Sequence, residues 1–103
     1  MSFVTLDEAK DQLAIEQDFT AHDERIERLI SAAEKWAENF LNRSLEELDS
    51  DSPPSSPVEI PEDAKSAILL HVEAEFDRDE RNMERLIETA RNLLWPYRVG
   101  LGA

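Results

Sequence analysis

The chain contains no cysteine, which excludes disulfides and thiolate metal sites and fits a reducing compartment. It has only two glycines, Gly100 and Gly102, both in the tail, so no glycine-rich loop exists to cradle a phosphate. Long apolar runs are missing too. The longest, Ala67 to Leu70, falls far short of the roughly 20 residues that span a bilayer. Basic residues are scarce: 11 Lys and Arg against 24 Asp and Glu give a formal charge of -13, which opposes non-specific attraction to nucleic acid or an anionic membrane. The start, MSFVTLDEAK, lacks the basic-then-apolar order of a signal peptide, and a soluble intracellular protein is expected. No serine has an evident histidine partner, and carboxylate pairs are too abundant for any one to mark acid-base catalysis.

The 103 residues suffice for one domain with a modest core. The stretch from Asp23 to Asn42, DERIERLISAAEKWAENFLN, dominates it. Ile26, Leu29, Ile30, Ala33, Trp36, Ala37, Phe40 and Leu41 recur at steps of three and four, along one side of a helix. Glu24, Arg25, Glu27, Arg28, Glu34, Lys35 and Glu38 form its charged side. A stripe this broad, with two large aromatics, requires cover from other helices.

Before it, Thr5 and Glu8 have capping-box spacing and predict a short helix from about Leu6 to Leu13, in which Leu6, Ala9 and Leu13 share a face. Ile15 and Phe19 are expected to tuck a connecting loop under the long helix, and Thr20 with Asp23 repeats the start signal. After it, composition turns to serine, aspartate and proline in RSLEELDSDSPPSSPVEIP. Leu45 and Leu48 fit one helical turn there, but 43–60 as a whole is expected to be an exposed loop. Pro61 suits the first turn of a second core helix, with Ala64, Ala67, Ile68, Val72 and Phe76 on one side and Leu69 and Leu70 widening the stripe. A break is expected near Asp79 to Asn82. The last helix then carries Met83, Leu86, Ile87, Ala90, Leu93 and Leu94 and stops at Pro96, leaving 97–103 as a flexible tail. The fold expected is an all-α single domain, 1–103, a small helical bundle of three main helices plus a short N-terminal helix and a long Ser/Pro/Asp-rich loop.

His71, Glu75 and Asp79 follow at steps of four, like a sparse metal-ligand row, but His22 stands at a helix start and offers no facing ligand. A solvated acidic face relieved by Arg78 and Arg81 accounts for the row, and no metal or other cofactor is expected. Trp36 reads as core. Trp95, in LLWPYRV ahead of Arg98, reads equally as core or as an interface aromatic.

The pieces VTLDEAKDQLAI, HDERIERLISAAEKWAENFLNRSL, IPEDAKSAILLHVEAEFDRDE and LLWPYRV, in this order, resemble the head-to-tail connector proteins of tailed bacteriophages over nearly the whole chain. Where relatives commonly show a His-aromatic-aromatic cluster followed by Asn-Arg, this chain has Glu75, Phe76, Asp77 and Arg78, so contacts there are not carried over. The resemblance implies a non-enzymatic virion protein at the head-to-tail junction, made in the bacterial host cytoplasm. It implies a homo-oligomeric ring of roughly a dozen subunits that binds the portal and recruits the next head-completion or tail-joining protein. DNA would pass through its channel without being specifically bound. Asp49, Ser50, Asp51, Pro53, Pro54, Pro57, Trp95, Tyr97, Arg98 and Val99 are then the expected partner-binding residues. Arg25, Arg28, Arg78 and Arg81 are expected to pair with acidic faces of neighbouring subunits. An acidic lumen would repel phosphate, and like-charged subunits resist assembly until a portal template or salt offsets the repulsion. The same charge suits an acidic DNA mimic or regulatory adaptor that binds a basic DNA-binding partner.

Overall fold

The computed structural model describes residues 3–48 and 60–99, and these form four α-helices and no strand. The helices are α1 (Leu6–Gln12), α2 (Asp23–Leu41), α3 (Glu62–Asp77) and α4 (Glu80–Leu94), with 3-10 turns at Leu45–Leu48 and Trp95–Tyr97. This is the small all-α bundle expected from the periodicity. Helix α1 begins at the expected capping box, in which Thr5 Oγ1 accepts from Glu8 N at 3.1 Å and Glu8 Oε1 accepts from Thr5 N at 2.9 Å. The Thr5 N–H, aided by Lys65, holds the Glu8 carboxyl below its ordinary range against an opposing contribution from burial. Pro61 occupies the cap position just before α3. The expected break falls at Arg78, after which Asp79 caps α4 by accepting from Arg81 N at 3.1 Å.

Ile26, Ile30, Ala33, Ala37 and Leu41 of α2 bury against Ala64, Ala67, Ile68 and Val72 of α3, while Ala90 and Leu94 close the far side. Helix α3 packs extensively on both α2 and α4, which touch each other only slightly. The order α2, α3, α4 is therefore a layer, with extents of 40 × 36 × 17 Å. Its radius of gyration, 14.0 Å, exceeds the roughly 13 Å of a compact chain of this length.

Several local expectations are corrected. Glu34, assigned to the charged side of α2, is buried, because its Oε2 accepts from Phe3 N at 2.6 Å and Val4 N at 3.2 Å and so satisfies the chain before α1. Phe19 does not tuck under α2. It is half exposed and packs its ring on His22. Thr20 makes no side-chain cap, and α2 starts after His22 instead. The stretch 43–60 is not uniformly exposed, since Leu45, Leu48 and Ile60 reach the core, and Glu38 Oε2 accepts from Leu45 N to seat the first turn. Of the expected tail, Tyr97 to Val99 is hydrogen-bonded to the body. The shortage of glycine also has a backbone consequence: Ala14, Asn42 and Arg78 take the left-handed conformation, and the latter two end α2 and α3. Asn tolerates this geometry, whereas for Ala and Arg it costs about 1 kcal/mol.

Lys10 is the largest departure from the periodic pattern. Its side chain is 2% exposed, pairs with Asp23 Oδ1 at 2.7 Å and donates to Gln17 O at 2.9 Å, joining α1, the connecting loop and the start of α2. An ammonium taken out of water is tolerable only with such partners. Asp23→Ala is expected to destabilise the protein by about 3 kcal/mol in urea titration by leaving that charge uncompensated. The paired replacement Lys10→Met with Asp23→Leu should recover most of the loss. Equal destabilisation by both would contradict a buried-charge origin.

Candidate functional site

The surface with interface chemistry lies where α4 ends. Pro96 has no N–H with which to extend the helix, so the chain tightens into the turn Trp95–Tyr97, and Arg98 N donates to Trp95 O at 3.2 Å. Tyr97 Oη donates to both carboxylate oxygens of Asp63, at 2.8 and 3.0 Å, tying this turn to the first turn of α3. The same bond keeps the phenol protonated and raises its pKa, with burial adding to the effect. Val99 N donates to Leu41 O at 3.0 Å, satisfying one of the carbonyls left open at the end of α2, and Asn42 Nδ2 donates back to Val99 O at 3.4 Å. Arg43 Nη1 donates to Tyr97 O at 3.3 Å. Residues 97–99 are thus braced by three elements.

The brace holds the end of an aromatic row. His71 stacks on Trp36 with centroids 4.5 Å apart, Trp36 on Phe40 at 6.1 Å, and Phe40 meets Trp95 at 6.4 Å. The Arg98 guanidinium lies 4.8 Å from the Phe40 ring centroid and 5.4 Å from that of Trp95. The row starts in the core and ends at the surface: Trp36, expected in the core, packs against it half-buried, whereas Trp95 is 55% exposed and Val99 40%. A tryptophan stacked under an arginine, on a braced turn, is pre-organised for docking and needs little side-chain ordering on binding.

The partner-binding residues expected from the sequence are therefore partly brought together. Trp95, Tyr97, Arg98 and Val99 form one edge, in which the Tyr97 hydroxyl is bound to Asp63. Asp49, Ser50, Asp51, Pro53, Pro54 and Pro57 lie outside the described residues. Arg25 is engaged within the chain: its Nη2 donates to Phe76 O at 3.1 Å and its guanidinium sits 4.7 Å from the Phe76 ring, which in turn meets His22. Arg28, Arg78 and Arg81 are exposed. Phe40, Asp63 and Asn42 also build this edge. Phe40 read only as core, and neither Asp63 nor Asn42 carried a signal, since their partners lie far away in sequence.

His71, Glu75 and Asp79 are not assembled, and no group of three His, Cys, Asp or Glu among the described residues is placed to hold a metal. His71 is buried against Trp36, contrary to the solvated face expected, whereas Asp79 is an exposed helix cap.

The described residues thus form a four-helix layer that presents a braced aromatic edge. The chain matches the family described as phage gp6-like head-tail connector protein over residues 3–97 and belongs to that family. The family is structural, places this chain among phage virion components and associates it with other head and tail proteins. No curated protein and no solved structure matches the chain significantly.

Burial lowers the pKa of His71 from its ordinary 6.5, and the charge of Glu75 opposes this more weakly. The unfolded chain then takes up a proton near pH 6.5 while the folded one does not. Stability is complete above that pH and falls as the pH drops towards the lower folded-state value. His71→Phe, followed by urea titration at pH 7.5 and 5.5, is expected to show a smaller loss between the two than the parent chain. An identical loss would mean that His71 does not contribute.

Proposed function

We propose that this protein is one subunit of an oligomeric ring, roughly a dozen copies around a channel, that joins the phage portal to the next head-completion or tail protein. The observation that carries the reading is the braced, exposed Trp95 beneath Arg98 in a chain of the connector family. In the proposed arrangement this edge docks on a partner, with Trp95 and Val99 as the apolar contact and Arg98 as the cation. Residues 49–57 supply a second contact. The ring sits at the head-to-tail junction. Its net charge of -13 per chain lets DNA slide past a repelling wall.

The test is binding to the purified portal, measured by sedimentation, for the parent chain and for Trp95→Ala combined with Arg98→Ala. Binding is expected to weaken at least tenfold with helical circular dichroism unchanged, as for loss of a central aromatic and its cation. Undiminished binding by a folded variant would remove this edge from the portal contact.

A further inference from the structure

Helix α4 carries an apolar face that its own core leaves uncovered. Ala90 and Leu94 are buried, but Met83, Leu86 and Ile87 are only half-buried and stand outside the packed cluster. Met83 and Ile87 line an open groove of about 550 Å³ together with Glu80, Glu84, Glu88 and Arg91. The three glutamates repeat at steps of four, a spacing at which like charges destabilise a helix, and none makes a hydrogen bond or ion pair among the described residues. The groove thus asks for an apolar-tolerant surface that carries positive charge.

Such a surface exists among the described residues. On the outer side of α2, Arg28, Ser31, Ala32 and Lys35 are all exposed, and neither Arg28 nor Lys35 has a partner among the described residues. The small Ser31 and Ala32 leave a shallow seat between the two cations. At 1.5 Å rise per residue, Lys35, Arg28 and Glu24 stand at about 0, 10 and 16 Å along α2, while Glu80, Glu88 and Arg91 stand at about 0, 12 and 16 Å along α4. Laid antiparallel, Glu80 meets Lys35, Glu88 meets Arg28 and Arg91 meets Glu24, with Met83 over Ala32 and Ser31 and Ile87 against the aliphatic stem of Arg28. The parallel register sets Glu80 against Glu24 and is repulsive.

We infer that α4 of one copy docks antiparallel on α2 of a second copy, burying the Met83–Ile87 groove under the Arg28–Lys35 stripe. Because the two surfaces belong to different helices, α2 and α4, which α3 separates within each chain, the contact is head-to-tail, the type that propagates and closes into a ring when its rotation allows. The inference rests on the ring reading above and specifies its subunit contact.

The test measures copy number by native mass, for the chain alone and on the purified portal. Ile87→Glu, Glu24→Arg and Arg91→Glu are each expected to weaken association between copies at least tenfold. The double variant Glu24→Arg with Arg91→Glu should restore it, because the pair is exchanged and not lost. Unchanged helical circular dichroism identifies folded variants. If copies assemble but the double variant fails to recover, this contact is wrong and the ring reading stands. If Ile87→Glu instead blocks portal binding by single copies, the groove belongs to the portal and the inference is overturned. A chain that associates neither alone nor on the portal overturns both.

Discussion

A layer of helices 17 Å deep cannot cover both sides of its members, and the rest of the structure depends on that constraint. A helix with its side chains is about 10–12 Å across, so the thin direction holds little more than one and a half helices. Helix α3, in the middle, packs on α1, α2 and α4, and α2 packs on α1 and α3, whereas α4 leans almost wholly on α3. The buried face of α3 is built from Ala64, Ala67, Ile68 and Val72, small or compact side chains that allow close approach. The outer helices bury one stripe each and keep the other exposed. In an isolated protein that is a stability cost. In an assembly subunit it leaves two edges for neighbours and one end for a partner.

Polar anchors take over where the thin layer offers too little apolar cover. Lys10 with Asp23, Glu34 with the Phe3 and Val4 amides, Gln12 with Glu73 and Tyr97 with Asp63 each link segments distant in sequence. Such contacts are specific in geometry, and each loses value steeply if one partner is removed. They place the chain before α1, the loop ahead of α2 and the segment after α4. Through Tyr97 they also fix the orientation of Trp95 and Arg98.

The helices were legible because their apolar steps of three and four are local. The capping box at Thr5 and the stop at Pro96 were legible for the same reason. Glu34 and Lys10 were not, because a charged residue on a helix reads as solvated until the backbone or carboxylate that meets it is known. The aromatic edge was half legible: LLWPYRV marked Trp95 and Arg98 as candidates, but the choice between core and surface depended on Phe40, in another helix. The bond from Arg25 to the Phe76 carbonyl was not legible, because that partner is a backbone group that no sequence pattern announces. The uncovered part of α4 was invisible for the opposite reason. Met83, Leu86 and Ile87 continue the stripe of Ala90 and Leu94, and only the packing tells the half-buried part from the buried one.

A thin helical layer, complementary edges and a braced aromatic end together suit an assembly subunit of a phage connector. The most direct test is electron cryomicroscopy of the purified protein bound to the portal of the same phage. The expected result is a closed ring of identical subunits around an open channel, seated on the portal by the Trp95 edge. Isolated copies on the portal, or a ring contacting it through another surface, would contradict the account.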